Sequence, residues 1–194
     1  MQFAKAILAI AATAVLVAGC GKAKNEATEA VTSLETSVSS LKEDGMKYAP
    51  VAYKGVESTL AMLKDSLAKE DYESVLAGTP ELNKAVESLK VAIASGKEQF
   101  EAATAEWETL SADVPKMVEA IQSRVDTLSS SRRLPKNVSK EAFESAKSGL
   151  DSMKSMWSEA TASAAAGMPA EAVEKARAVK AKGTEVLAAL GMSG

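Results

Sequence analysis

The chain has 194 residues, with 23 basic and 26 acidic side chains, no histidine and one cysteine. A mildly acidic balance leaves no electrostatic footprint for nucleic acid, and the missing imidazole removes both the usual general base near neutral pH and the commonest metal ligand. One thiol cannot form an internal disulfide, so the folded part must be stable without one.

In chain order, the first nineteen residues carry Lys5 and then an unbroken small and aliphatic run of 14 residues, Ala6 to Gly19. A basic start, an apolar middle and small residues at the end make a secretion signal. The run falls short of the about 20 apolar residues that a membrane-spanning helix needs.

Val17-Ala18-Gly19-Cys20 closes that segment. It resembles the lipobox of bacterial lipoproteins, in which an aliphatic residue and two small ones precede a cysteine; Val17 stands where leucine is commoner. The resemblance implies that Cys20 receives a diacylglycerol and that Val17, Ala18 and Gly19 are read by the signal peptidase, which cuts between Gly19 and Cys20. Gly21, where an aspartate would favour inner-membrane retention, implies the periplasmic face of the outer membrane in a two-membrane bacterium. Two or more acyl chains at about 0.8 kcal/mol per buried CH₂ hold a protein firmly at a membrane, whereas one does so only marginally. Removal of residues 1–19 leaves 22 basic against 26 acidic side chains, a net −4.

Residues 20–24 read as a tether and 25–194 as a helical bundle domain. Val31, Leu34, Val38 and Leu41 form a narrow seam on a helix expected from Asn25 to Asp44 and closed by Gly45. The next helix, Ala49 to Lys69, starts with Pro50 in its first turn and carries Ala52, Val56, Leu60, Leu63 and Leu67 on one side. Gly78-Thr79-Pro80-Glu81 spells a helix stop and restart. From Leu82 through Val86, Leu89, Ile93, Gly96, Phe100, Ala103, Trp107, Leu110, Val114 and Met117 to Ile121, apolar or small residues step by four and three, the period of a left-handed supercoil. Val125 and Leu128 extend the series. Pro115 interrupts the pattern chemically but not in phase, which favours a continuous helix kinked there over a hairpin.

Residues 129–137 form the clearest loop, holding Arg132, Arg133 and Lys136. A helix from about Ser139 stacks Phe143, Ala146, Leu150, Met153 and Trp157; Gly167-Met168-Pro169 punctuates; and a last helix carries Ala172, Ala176, Val179, Gly183, Val186 and Leu190. Residues 68–75 and 166–173 both resemble the inter-helix turn of tetratricopeptide-type repeats, which implies helical hairpins. The expected fold is all-α: an elongated antiparallel helical bundle with coiled-coil-like heptad seams.

For function, these features point to a non-enzymatic cell-envelope lipoprotein with a structural, scaffold or adaptor role in the periplasm, with no cofactor and no metal. Its partners are the membrane through the lipid anchor and either a protein or a second copy. The seam Val31, Leu34, Val38 and Leu41 is the candidate partner surface, set against packing on its own bundle. Arg132, Arg133 and Lys136 are candidate contacts for anionic headgroups or peptidoglycan carboxylates. Trp107 and Trp157, both on seams, are expected mainly as core. One alternative is a periplasmic binding or chaperone-like module capturing a peptide or small apolar ligand between helices. A remoter one is a carboxylate-dependent peptidoglycan hydrolase, for which the Glu-Ser pairs at Glu57, Glu73, Glu87 and Glu144 lack the continuation seen in lytic transglycosylases.

Overall fold

The structure, a computed structural model, describes the backbone of residues 3–192 and the side chains of residues 21–192. It is an all-α helical bundle protein, with no strand among the described residues. The helices are α1 (Phe3–Ser40), α2 (Lys42–Tyr48), α3 (Pro50–Ala68), α4 (Tyr72–Ser129), α5 (Lys140–Ala165) and α6 (Pro169–Ala189). The helical region, expected as one bundle domain, divides into two compact units at Lys97/Glu98.

In the N-terminal unit the apolar stripes of α1, α3 and the first half of α4 meet in one core. Val31, Leu34 and Val38 pack with Tyr53, Val56, Leu60 and Leu63 and with Val75, Leu82, Val86, Leu89 and Ile93. Glu35 pairs with Lys64 at 2.7 Å, Gly78 lies against Leu63, and Gly96 lies against Tyr48. These pairings run the three helices up, down and up.

The C-terminal unit repeats the arrangement with the second half of α4, α5 and α6. Leu110, Val114, Ile121, Val125 and Leu128 pack with Phe143, Leu150 and Met153 and with Val173, Val179, Val186 and Leu190. Gly149 abuts Val186, so α5 and α6 are antiparallel; Gly183 abuts Met117, and Arg177 clasps Glu106 through bonds of 2.5 and 2.6 Å, so α6 and α4 are parallel.

The likeness is closest at the turn between the second and third helices of each unit. Glu70 (φ 59) and Gly167 (φ 76) both take the left-handed conformation. Asp71 N–H donates to the Ser66 carbonyl and Met168 N–H to the Ser163 carbonyl, each at 3.0 Å; Lys69 and Ala166 N–H groups donate to Asp65 and Ala162. Every one of these pairs is 97 residues apart. The same offset matches buried Tyr53 with Leu150, Val56 with Met153, Leu82 with Val179, Leu89 with Val186 and Ile93 with Leu190. Pairing residues 68–75 with 166–173 is therefore one position out of register, but both segments do hold the turn of a helical hairpin, and the three-helix arrangement occurs twice.

Three local expectations change. Gly45 does not end the first helix: the break is at Leu41, and Gly45 lies buried inside α2, where a Cβ would come within 2.6 Å of the Tyr53 ring. Residues 78–81 do not stop and restart a helix, because α4 is continuous from Tyr72. There Thr79 bonds back to the Val75 carbonyl at 2.8 Å instead of capping, and Gly78 makes room for Leu63. On α3 the seam runs through buried Tyr53, while Ala52 is exposed. At Pro115 the expected continuity holds, because α4 runs through it without a hairpin.

Candidate functional site

The lipobox residues Val17, Ala18, Gly19 and Cys20 lie on α1, but their side chains are outside the described ones. No helix among the described residues is long and apolar enough to cross a membrane. The seam offered as a partner surface is occupied by the chain itself. Val31, Leu34 and Val38 are at most 3% exposed in the N-terminal core, and Leu41 packs partly buried against it.

Arg132, Arg133 and Lys136 are exposed in the connection between α4 and α5. Trp107 and Trp157 stack on each other, with ring centroids 5.4 Å apart and planes 18° apart, as partly buried neighbours of the C-terminal core. Offset stacking of this kind adds about 0.5–1.5 kcal/mol beyond burial. Glu57, Glu73, Glu87 and Glu144 are all exposed; Glu87 pairs with Lys90 at 2.7 Å and Glu144 with Lys147 at 3.0 Å. Among the described residues no cluster of three acidic or thiol groups is placed to hold a metal ion.

Sequence reasoning missed a groove of mixed polar and apolar lining in the N-terminal unit. A groove of about 240 Å³ opens between the end of α1, the start of α2 and α3, with Val38 and Leu60 as apolar floor and Glu35, Lys42, Glu57 and Lys64 around it. Tyr53 lines it too, although the residue as a whole is only 3% exposed. The residue is held there because Gly45 leaves space for the ring. Burial pushes the phenol above its usual range, and the nearby Glu57 carboxylate adds to that, so the hydroxyl stays protonated as a donor. Lys64 and Glu35 neutralise one another at 2.7 Å. Lys42 and Glu57 are exposed, and among the described residues the buried side-chain polar atom without a hydrogen-bond partner is Arg124 Nε rather than the Tyr53 hydroxyl. The elements meeting here are separated in sequence, and the one available signal was a tyrosine one position from the assigned seam.

Comparison with protein-family models, with curated proteins and with solved structures returned no match.

Proposed function

We propose that the chain is a lipid-anchored cell-envelope lipoprotein with a non-enzymatic structural, scaffold or adaptor role on the periplasmic face of an outer membrane. The observation that carries this reading is Val17-Ala18-Gly19-Cys20 at the end of an apolar segment too short to span a bilayer. The single cysteine of the chain occupies the one position where lipidation needs it. Beyond it lie two aliphatic cores closed by three helices each, a form suited to presenting helix surfaces at a membrane. Arg132, Arg133 and Lys136 supply the basic patch that favours an anionic surface.

The test is expression in a two-membrane host with metabolic labelling by an alkyne fatty acid, followed by fractionation. The parent chain takes up label and sediments with outer membranes. Cys20→Ser loses the label and appears in the soluble fraction; continued membrane retention of that variant would overturn the anchor. Crosslinking of the tagged parent in cells then separates the roles: a recurrent envelope protein marks an adaptor, and self-crosslinks mark a structural oligomer.

A further inference from the structure

We propose that the outer face of α3 is a docking surface for a second copy of this chain, the two α3 helices packing antiparallel about a two-fold axis. The surface is not the seam at Val31, and the proposal stands independently of the lipid anchor.

The face is apolar where the fold does not call for it. Val51, Gly55, Ser58 and Met62 step by four, three and four along the side of α3 opposite its core residues, the period of a packed helix pair. Val51 is 85% exposed and Met62 61%, so neither contributes to the N-terminal core. The 97-residue offset supplies an internal control, matching these four positions with Ser148, Ser152, Ser155 and Glu159, all exposed and all polar. The three-helix arrangement therefore requires no apolar side chain there. Ala52, Thr59 and Ser66 beside the strip carry no charge either, in a chain that is 25% charged. Single exposed apolar residues are ordinary, but two of them aligned on one uncharged helix face mark a contact surface.

The strip is complementary to itself, which fixes the occupant. Nothing lies within 4 Å of a Cβ built at Gly55, so no side chain of its own copy uses that hollow. In an antiparallel pair with the two-fold beside Ser58, Met62 of each copy stands opposite Gly55 of the other, a large side chain against a gap. A parallel pair in register would set Gly55 against Gly55 and leave the hollow empty. The antiparallel register also brings Lys54 of each copy alongside Asp65 of the other at the edge of the strip, opposite charges facing one another. Lys54 is exposed, and Asp65 is held within its own copy only by the exposed Lys69 at 2.6 Å. A strip along the 19 residues of α3 is about 28 Å long and about 10 Å wide. It buries about 300 Å² per copy, against about 800 Å² in a standard complex, so the pair is weak and reversible.

Disulfide trapping accumulates a weak dimer and supplies the test. Ser58→Cys places a thiol beside its own counterpart across the two-fold, within the Cα separation of up to about 7 Å that a disulfide spans. Ser155→Cys places one at the matched position of the C-terminal unit, and the parent chain, whose Cys20 is common to all variants, sets the background. The purified full chain in detergent is oxidised with copper phenanthroline and followed by non-reducing electrophoresis. Ser58→Cys is expected to form linked dimer severalfold faster than Ser155→Cys and the parent. In the Ser58→Cys background, Met62→Glu and Lys54→Asp are each expected to slow linkage severalfold, and adding Asp65→Lys to Lys54→Asp is expected to restore it. All of these positions are exposed, so the variants fold as the parent does. Three results would each overturn the proposal: linkage of Ser58→Cys no faster than that of Ser155→Cys, rates indifferent to Met62→Glu, or no recovery in the charge swap. Oxidation of the Ser58→Cys variant in intact cells that links it chiefly to a different protein would also overturn it, by giving the face to that partner.

Discussion

Two glycines inside helices show how far a residue type is from having one meaning. Gly96 is in α4, and a Cβ built there would overlap the carbonyl oxygen of Tyr48; Gly55, in the exposed face of α3, has nothing within 4 Å of such a Cβ. The first permits a close helix approach, and the second only carries the entropy penalty of glycine in a helix. Gly96→Ala is therefore expected to destabilise the protein by about 1–3 kcal/mol through overpacking. Gly55→Ala is expected to stabilise it by about 0.5–1 kcal/mol. Denaturant unfolding of the two variants beside the parent measures both; a stabilising Gly96→Ala would mean that Tyr48 and its helix yield freely. The same distinction explains Gly45, whose position resembles a helix stop in the sequence while its space is taken by the Tyr53 ring.

Among the elements, the paired turns offer a direct comparison, because the same left-handed position holds a glutamate in one unit and a glycine in the other. Glu70 at φ 59 bears the steric cost of a Cβ that Gly167 at φ 76 avoids. Glu70→Gly is expected to raise stability by about 0.5–1 kcal/mol and Gly167→Ala to lower it by about 1 kcal/mol, with thermal midpoints moving in opposite directions. If both moved the same way, the turns would not be equivalent. The sequence made these boundaries legible: Pro50, Ser139, whose hydroxyl accepts from Ala142 N–H at 3.0 Å, and Gly167-Met168-Pro169 all act locally, and all fall where local chemistry puts them. Gly78-Thr79-Pro80 failed for the complementary reason. Its residues match a cap pattern, but α4 is held continuous by the burial of Val75 before it and Leu82 after it on one core face. The α3 seam slipped by one because adjacent positions at a helix start compete for the buried side, and the larger Tyr53 takes it from Ala52. The groove at Tyr53 was illegible because its charges come from separate elements, each reading alone as a solvated helix face.

Across the whole molecule, the repeat is visible as a burial pattern where side-chain identity differs, Tyr53 corresponding to Leu150 and Val86 to Gly183 at the 97-residue offset. What both copies share is an apolar core free of histidine, and that has a measurable consequence. The shifted groups divide cleanly by sign. The hydrogen bonds from Ser74 hold Asp71 below its ordinary range, and those from Lys175 do the same for Glu171; depressed carboxylates contribute stability above about pH 4, which is lost as pH falls through their lowered values. Lys69 and Lys175 are raised chiefly by hydrogen bonds to Asp65 and Glu171, and Tyr53 is raised chiefly by burial; their contributions are complete below about pH 10 and are lost as pH rises through the raised values. With no imidazole in the chain, no shifted side chain among the described residues titrates between these limits. The thermal midpoint is therefore expected to stay within about 2 °C from about pH 6 to pH 9 and to fall on both sides, first on the acid side below about pH 4.5. Scanning calorimetry in buffers of matched ionic strength tests this. Apart from the Cys20 thiol and the terminal amine, whose ordinary values fall in this range and which lipidation and acylation would remove, a slope inside the plateau would require a carboxylate, ammonium or phenol moved several units from its ordinary value.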